Sequence, residues 1–262
     1  MLKHVIIHIP HASITIPAEY RSDYNQHALS HELLVMTDWY CHELFACEAE
    51  MTNMPVSRLV CDVERFRDDT DEIMNKQGMG LYYTHSSENK VFRKFSPEKR
   101  QEIVQKYYDP HHARLTAAAE KRLQQTGSCL IIDSHYFYPR PLPYEPDQTA
   151  DRPDICLGTD NYHTPPAFIE KLTTFLRDNG LTVKINSPFA GAVVPKRFTT
   201  SPSQSQHSTV RSHSTPHNFT SFTTLNLTTP AKASNYTSPT WPGASPTPFS
   251  DTLGSPPNSS TS

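Results

Sequence analysis

Apolar residues recur through the first three quarters of the chain in two kinds of pattern. Val5–Ile9 is a short unbroken apolar run closed by Pro10, and Cys129–Asp133 and Leu181–Ile185 repeat the form. Runs of this length bounded by turn-forming residues predict buried strands. Between residues 28 and 50 the apolar positions Leu29, Leu33, Met36, Trp39, Tyr40 and Leu44 fall at helical spacing, which predicts a helix or a pair of short ones. Pro55–Val63 reads as a further strand. Ser96-Pro97-Glu98 has the form of a helix start, with Ser as N-cap and Pro at the first helical position. That helix is expected to reach about Tyr108, and a second to run from Pro110 to Gln125, ending before Gly127. Residues 165–178 predict another helix, closed by Asn179-Gly180. Strands alternating with helices argue for an α/β domain, a three-layer sandwich around a mostly parallel mixed sheet. Chemistry in such sheets gathers at the carboxyl ends of the strands.

The pattern stops after Phe198. Residues 199–262 are mostly Ser, Thr and Pro, with Asp251 the only acidic residue. Such a segment buries too little apolar surface to offset its ordering entropy, so disorder is expected. Its sequons at Asn218, Asn226, Asn235 and Asn258 read as chance matches in a Ser/Thr-rich stretch. The chain therefore divides into a domain over 1–198 and a tail over 199–262.

Composition narrows the function. A chain of 262 residues can bury a substantial core, and a formal charge of −3 gives no reason to expect nucleic acid or a membrane surface as partner. The N-terminal apolar run is too short for a signal peptide or a membrane span. Five cysteines form no CxxC and leave one unpaired under any full disulfide pairing, and Cys61 and Cys129 sit in apolar runs; with that short N-terminal run, a reducing, cytoplasmic setting is the default expectation. No G-x-G-x-x-G, Walker motif or G-x-S-x-G is present, which removes support for nucleotide binding and serine-hydrolase chemistry. Fourteen histidines favour metal or acid/base chemistry.

The histidines fall where an α/β sheet would use them. His8 and His11 straddle the end of the first strand, and Asp133-Ser134-His135 lies at the exit of another. Two strand ends each delivering a histidine suit a hydrolytic zinc site, which takes three N/O ligands and leaves a position for water. Asp133 is a candidate to orient a ligand ring, or a carboxylate capping local backbone. Asp38 lies on an otherwise apolar helix face, where an unpaired charge is costly, with His31 and Glu32 as rivals for a third ligand. Strand alternation from Val56 to Phe66 would set Arg58, Asp62 and Glu64 on one face and Arg65 on the other. Two arginines at a strand exit suit capture of a carboxylate or polarisation of a carbonyl, and equally an ion-pair network. His111-His112, at a helix start, offers one more ring to the site or a surface cap.

Together these segments resemble the N-formylglutamate amidohydrolase family over residues 3–198. The resemblance rests on His8-Ile-Pro-His11-Ala-Ser, Thr37-Asp38-Trp39-Tyr40, the stretch from Ser57 to Phe66, and Tyr107-Tyr108-Asp109-Pro110-His111-His112. It continues through Ile131-Ile132-Asp133-Ser134-His135, the stretch from Arg152 to Gly158, and that from Asn186 to Gly191. The resemblance implies a fold like that of zinc exopeptidases and aspartoacylases. It also implies metal-dependent hydrolysis of N-formyl or N-acyl amino acids, in histidine breakdown giving formate and glutamate. It makes His11, Asp38 and His135 the metal ligands, with His8 the substitute and Zn2+ the first choice of divalent metal. Arg58 would polarise the scissile carbonyl, and Arg65 and Asn186 would meet the substrate.

Two departures stand out. Many members of the family carry Asn where this chain has Glu64. The family also supplies a late glutamate in a Glu-x-Asn-Arg context as proton shuttle, and no glutamate follows Glu170 here. The domain is thus expected to be incomplete at its C-terminus, with a tail that is out of frame or unrelated and catalysis impaired. Glu64 is then the remaining candidate base. The competing readings are an amidase for another N-acyl amino acid and a catalytically silent metal- or ligand-binding module.

Overall fold

The computed structural model describes residues 2–191, 193–198 and 219–227. Six strands form one sheet: β1 (Val5–Ile9), β2 (Glu50–Asn53), β3 (Cys129–Tyr136), β4 (Ile155–Leu157), β5 (Val183–Ile185) and β6 (Phe219–Leu227). Their order across the sheet is β2-β1-β3-β6-β4-β5, parallel throughout except where β4 meets β6. The helices are α1 (Ala18–Arg21), α2 (Gln26–Met36), α3 (Cys41–Leu44), α4 (Pro97–Ile103), α5 (Asp109–Thr126) and α6 (Pro166–Asp178). None is long and apolar enough to cross a membrane among the described residues.

β1 is buried along its whole length because helices cover both faces of the sheet there. Ile6 joins Cys129 and Ile131 against Leu115, Ala118 and Ala119 of α5. Val5, Ile7 and Ile9 point the other way, onto Cys41 and Phe45 at α3. This explains why the strand reads as a continuous apolar run rather than an alternating one. Register pairs Ile7 with Ile132 and His8 with Asp133, so the polar residues of β1 and β3 emerge side by side.

β1, β3, α6 and the Ser96 N-cap stand close to expectation; Ser96 Oγ accepts from the Lys99 N–H at 3.2 Å. The two expected helices around Pro110 instead run on as α4, a wider π turn over 104–108, and α5, which ends at left-handed Gly127. Pro110 lies within this continuous run and has no N–H to give the preceding turn, and the wider π turn stands directly before it.

Three expectations are corrected. Pro55–Val63 is not a strand; β2 precedes it, and the segment folds into turns closed by Val60 N–H to Ser57 O at 2.9 Å. Leu59, Val60, Cys61 and Val63 are all buried, so no alternating face exists. The buried Arg93 clamps the turn through Leu59 O and Val60 O, its guanidinium stacked 3.5 Å from the centre of the Tyr82 ring. Asp38 is not on a helix face; α2 ends at Met36, and Asp38 lies in the connection to α3, its N–H donating to His11 O at 3.1 Å. Finally, Phe219–Leu227 of the Ser/Thr/Pro-rich segment is a strand, inserted between β3 and β4. Those nine residues are proline-free and rich in Phe, Thr and Leu, which suits a pleated strand whatever the surrounding composition. The rest of the expectation for 199–262 falls outside the described residues.

Candidate active site

The carboxyl ends of β1 and β3, the Asp38 connection and the Ser57–Arg65 turns converge on one buried polar cluster. Proline at position 10 ends β1, and the chain then turns so that His11 meets Asp62, its Nε2 at 2.9 Å from Oδ1. Asp62 is fully buried and takes further hydrogen bonds from Arg58 Nη2 (2.8 Å), the Tyr83 hydroxyl (2.8 Å) and the Glu64 N–H (3.0 Å). Despite burial, Arg58, His11 and Arg65 hold the Asp62 carboxyl well below the usual carboxylate range. Asp62 therefore accepts only, and His11 presents Nε2–H to it.

A neutral His11 then keeps its lone pair at Nδ1. That atom is buried without a hydrogen-bond partner and looks toward Asp38 Oδ2 at 3.6 Å. The same Asp38 oxygen lies 2.9 Å from Nδ1 of His135. On the opposite edge of the two rings stands Glu64, 3.1 Å from His135 Nε2 and 3.6 Å from His11 Nε2. His11, Glu64 and His135 offer donor atoms within 4.8 Å of one another, as do His8, Glu64 and Asp133. A carboxylate thus flanks each edge of the His11–His135 pair.

Four carboxylates, Asp38, Asp62, Glu64 and Asp133, outnumber the guanidiniums of Arg58 and Arg65 by two, so protons on the histidines or a bound cation must make up the difference. Burial works against charging His135, yet Glu64, Asp133 and Asp38 hold its pKa well above the ordinary histidine value. His11 is also raised: Asp62, Glu64 and Asp38 outweigh burial and Arg58. A lone pair turned to a carboxylate and two histidines pressed to bind protons are what a divalent cation would relieve, so these residues fit one.

Behind this layer His8 is sealed. Its Nδ1 lies 2.7 Å from Asp133 Oδ1 and its Nε2 2.8 Å from His111 Nε2, all three residues being buried. Asp133 is well below the usual carboxylate range, His135 and His8 outweighing its burial. Burial, reinforced by His8 and His112, lowers the pKa of His111.

His11, Asp38, His135, Arg58, Glu64 and Arg65 thus meet in one place. Arg65 Nε donates to Met79 O at 3.1 Å and lies 3.6 Å from Asp62. Asn186 is held elsewhere: its amide pairs with Thr159 at both ends, at the exit of β5 on the far edge of the sheet. Insertion of β6 between β3 and β4 separates it from the histidines. Glu32, a rival to Asp38, spends both oxygens on Ser87. Tyr83 was not anticipated, since Leu81-Tyr82-Tyr83 reads simply as an apolar run.

A parallel sheet delivering histidines and carboxylates to its strand exits defines a hydrolase-type site. The chain belongs to the N-formylglutamate amidohydrolase family, whose model matches residues 3–210. Among solved structures it is similar to an N-formylglutamate amidohydrolase from Ralstonia eutropha JMP134, with a TM-score of 0.64 and 18% identity over 87% of this chain and 82% of that one. A gene product of Agrobacterium tumefaciens is similar at a TM-score of 0.56 and 18% identity, covering 86% and 80%. No curated protein matches the chain.

Proposed function

We propose that this chain hydrolyses N-formyl or N-acyl amino acids with a bound divalent metal, Zn2+ first, and that N-formylglutamate gives formate and glutamate. The observation that carries the reading is Asp38 Oδ2 set between the Nδ1 atoms of His11 and His135 inside a buried cluster whose carboxylates outnumber its guanidiniums. His11, Asp38 and His135 would hold the metal. When bound, it would lower the pKa of a water and polarise the amide oxygen.

The remaining roles fall to the chain's own groups. Asp62 fixes the His11 ring through Nε2, as partners behind metal-held histidines do. Arg58, 12% exposed and anchored on Asp62, leaves part of its guanidinium for the scissile carbonyl. Arg65, 18% exposed, is placed to clamp a substrate carboxylate. Glu64, at 15% exposure the most accessible of the four carboxylates, would take a proton from the attacking water and give it to the leaving amine nitrogen. No glutamate follows Glu170 in the sequence, and Glu64 is the most exposed carboxylate of the described cluster, which supports it as the base. Helices on both faces of β1 support the three-layer, zinc-exopeptidase and aspartoacylase-like reading of the fold. Five free cysteines support a reducing, cytoplasmic setting.

The donor grouping of His11, Glu64 and His135 favours a second reading of the third ligand, with Glu64 on the metal and Asp38 orienting the rings. Zinc titration of Asp38→Asn and Glu64→Gln separates them. D38N should lose stoichiometric zinc, while E64Q should keep it and lose about 10²–10⁴-fold in formate release. The reverse pattern makes Glu64 the ligand. Wild-type zinc affinity in both variants would refute the site.

A further inference from the structure

Hydrogen-bond direction in the sealed layer can be worked out from Asp133. Its Oδ1 faces His8 and its Oδ2 takes the Val193 N–H at 3.3 Å, so the carboxylate accepts on both sides. His8 must then present Nδ1–H to it, and a neutral His8 keeps a lone pair at Nε2. The 2.8 Å contact there requires His111 to donate from its own Nε2. That assignment leaves a lone pair on His111 Nδ1, which is the buried atom found without a partner. The opposite direction would bury an unpaired N–H instead, the costlier orphan. Asp133 Oδ1 also lies 3.4 Å from His135 Nε2. Two rings therefore donate in one sense from α5 to Asp133, where the histidine at the exit of β3 faces the same carboxylate from the other side.

We propose that His111 and His8 form a one-way hydrogen-bond relay that orients Asp133 behind His135, making His111 a positioning residue for the metal-holding ring. The proposal rests on the metal reading of His135 above. In this arrangement His111 Nε2–H is the fixed origin: it selects the His8 tautomer, and that tautomer places a donor on Asp133 Oδ1. The carboxylate is thereby held 3.4 Å from His135 Nε2, an edge it shares with Glu64 at 3.1 Å, while His135 Nδ1 is turned toward Asp38. His8 on this view is a link in the relay and not a substitute ligand, since both its nitrogens are already engaged.

The test pairs a spectrum with an affinity. In the metal-free wild-type protein, 15N-edited histidine spectra should show His111 as the Nε2–H tautomer and His8 as the Nδ1–H tautomer. His111→Leu, which removes the donor, should weaken binding of the zinc ion alone by about 10- to 100-fold, measured by chelator competition. His111→Gln, which keeps an N–H donor near the same point, should recover most of that loss. Unchanged affinity in H111L, equal losses in both variants, or the reversed tautomers would overturn the relay. If wild-type protein binds no zinc, the metal reading fails by itself, and the wild-type tautomers still decide the relay.

Discussion

His163 and His11 are buried to the same degree, each 1% exposed, one beside the β4–β5 half of the sheet and one beside the β1–β3 half. Their surroundings differ in one respect that matters. His163 is closed on both sides, Nδ1 on Asp160 at 2.9 Å and Nε2 on the carbonyl of Phe198 at 3.0 Å. His11 is closed on one side by Asp62 and left open at Nδ1, facing another carboxylate. The same contrast extends to the acids. Asp154 spends itself on Thr182, accepting from its N–H at 2.9 Å and its hydroxyl at 2.7 Å, a staple across the start of β4 and β5. The acids around His11 and His135 outnumber the guanidiniums available to them. Burial of polar groups and a few unpartnered atoms, such as Thr173 Oγ1, occur in both halves; among the described residues the buried ring nitrogen of His11 facing a carboxylate lies in the β1–β3 half, and that pairing of a bare ligand atom with an acid points to chemistry.

Breaking the dense half should cost the most. Asp62→Ala strips an acceptor from His11, Arg58, Tyr83 and the Glu64 N–H and leaves buried cationic groups unpaired. Chemical denaturation should show a loss of about 3–5 kcal/mol, and a neutral result would mean the cluster does not depend on its central carboxylate. His163→Ala sharpens the comparison from the other side. It should cost about 1–3 kcal/mol in the same measurement, because Asp160 and the Phe198 carbonyl each lose a partner, with zinc affinity unchanged. A weakened zinc site in that variant would show that the two halves are coupled. Thr182→Val removes only the hydroxyl of the staple and should cost about 1 kcal/mol, again with no effect on metal.

Much of the molecule was legible because its strongest signals are local. β1 and β3 announce themselves as apolar runs, and Ser96-Pro97 and Gly127 mark helix ends through capping chemistry. The histidines and carboxylates at strand exits could be named from position alone. What misled was local pattern without its tertiary partner. The stretch from Val56 to Val63 alternates like a strand, but its apolar side chains all find cover in a turn held by Arg93, more than thirty residues away. Asp38 was read onto a helix that stops at Met36. β6 is hidden by the Ser/Thr/Pro composition around it, and its place in the sheet depends on the free edges of β3 and β4. The relay through His111 was out of reach for the same reason, since a partner 103 positions from His8 leaves no trace in spacing.

The most direct test is formate release from N-formylglutamate by the purified full chain, followed before chelation, after it, and after zinc is restored. Metal-dependent hydrolysis requires release that stops with the chelator and returns with zinc, with Glu64 sufficient as the base. Stoichiometric zinc with no release would contradict it and leave a metal-binding module that has kept the histidine site without its reaction.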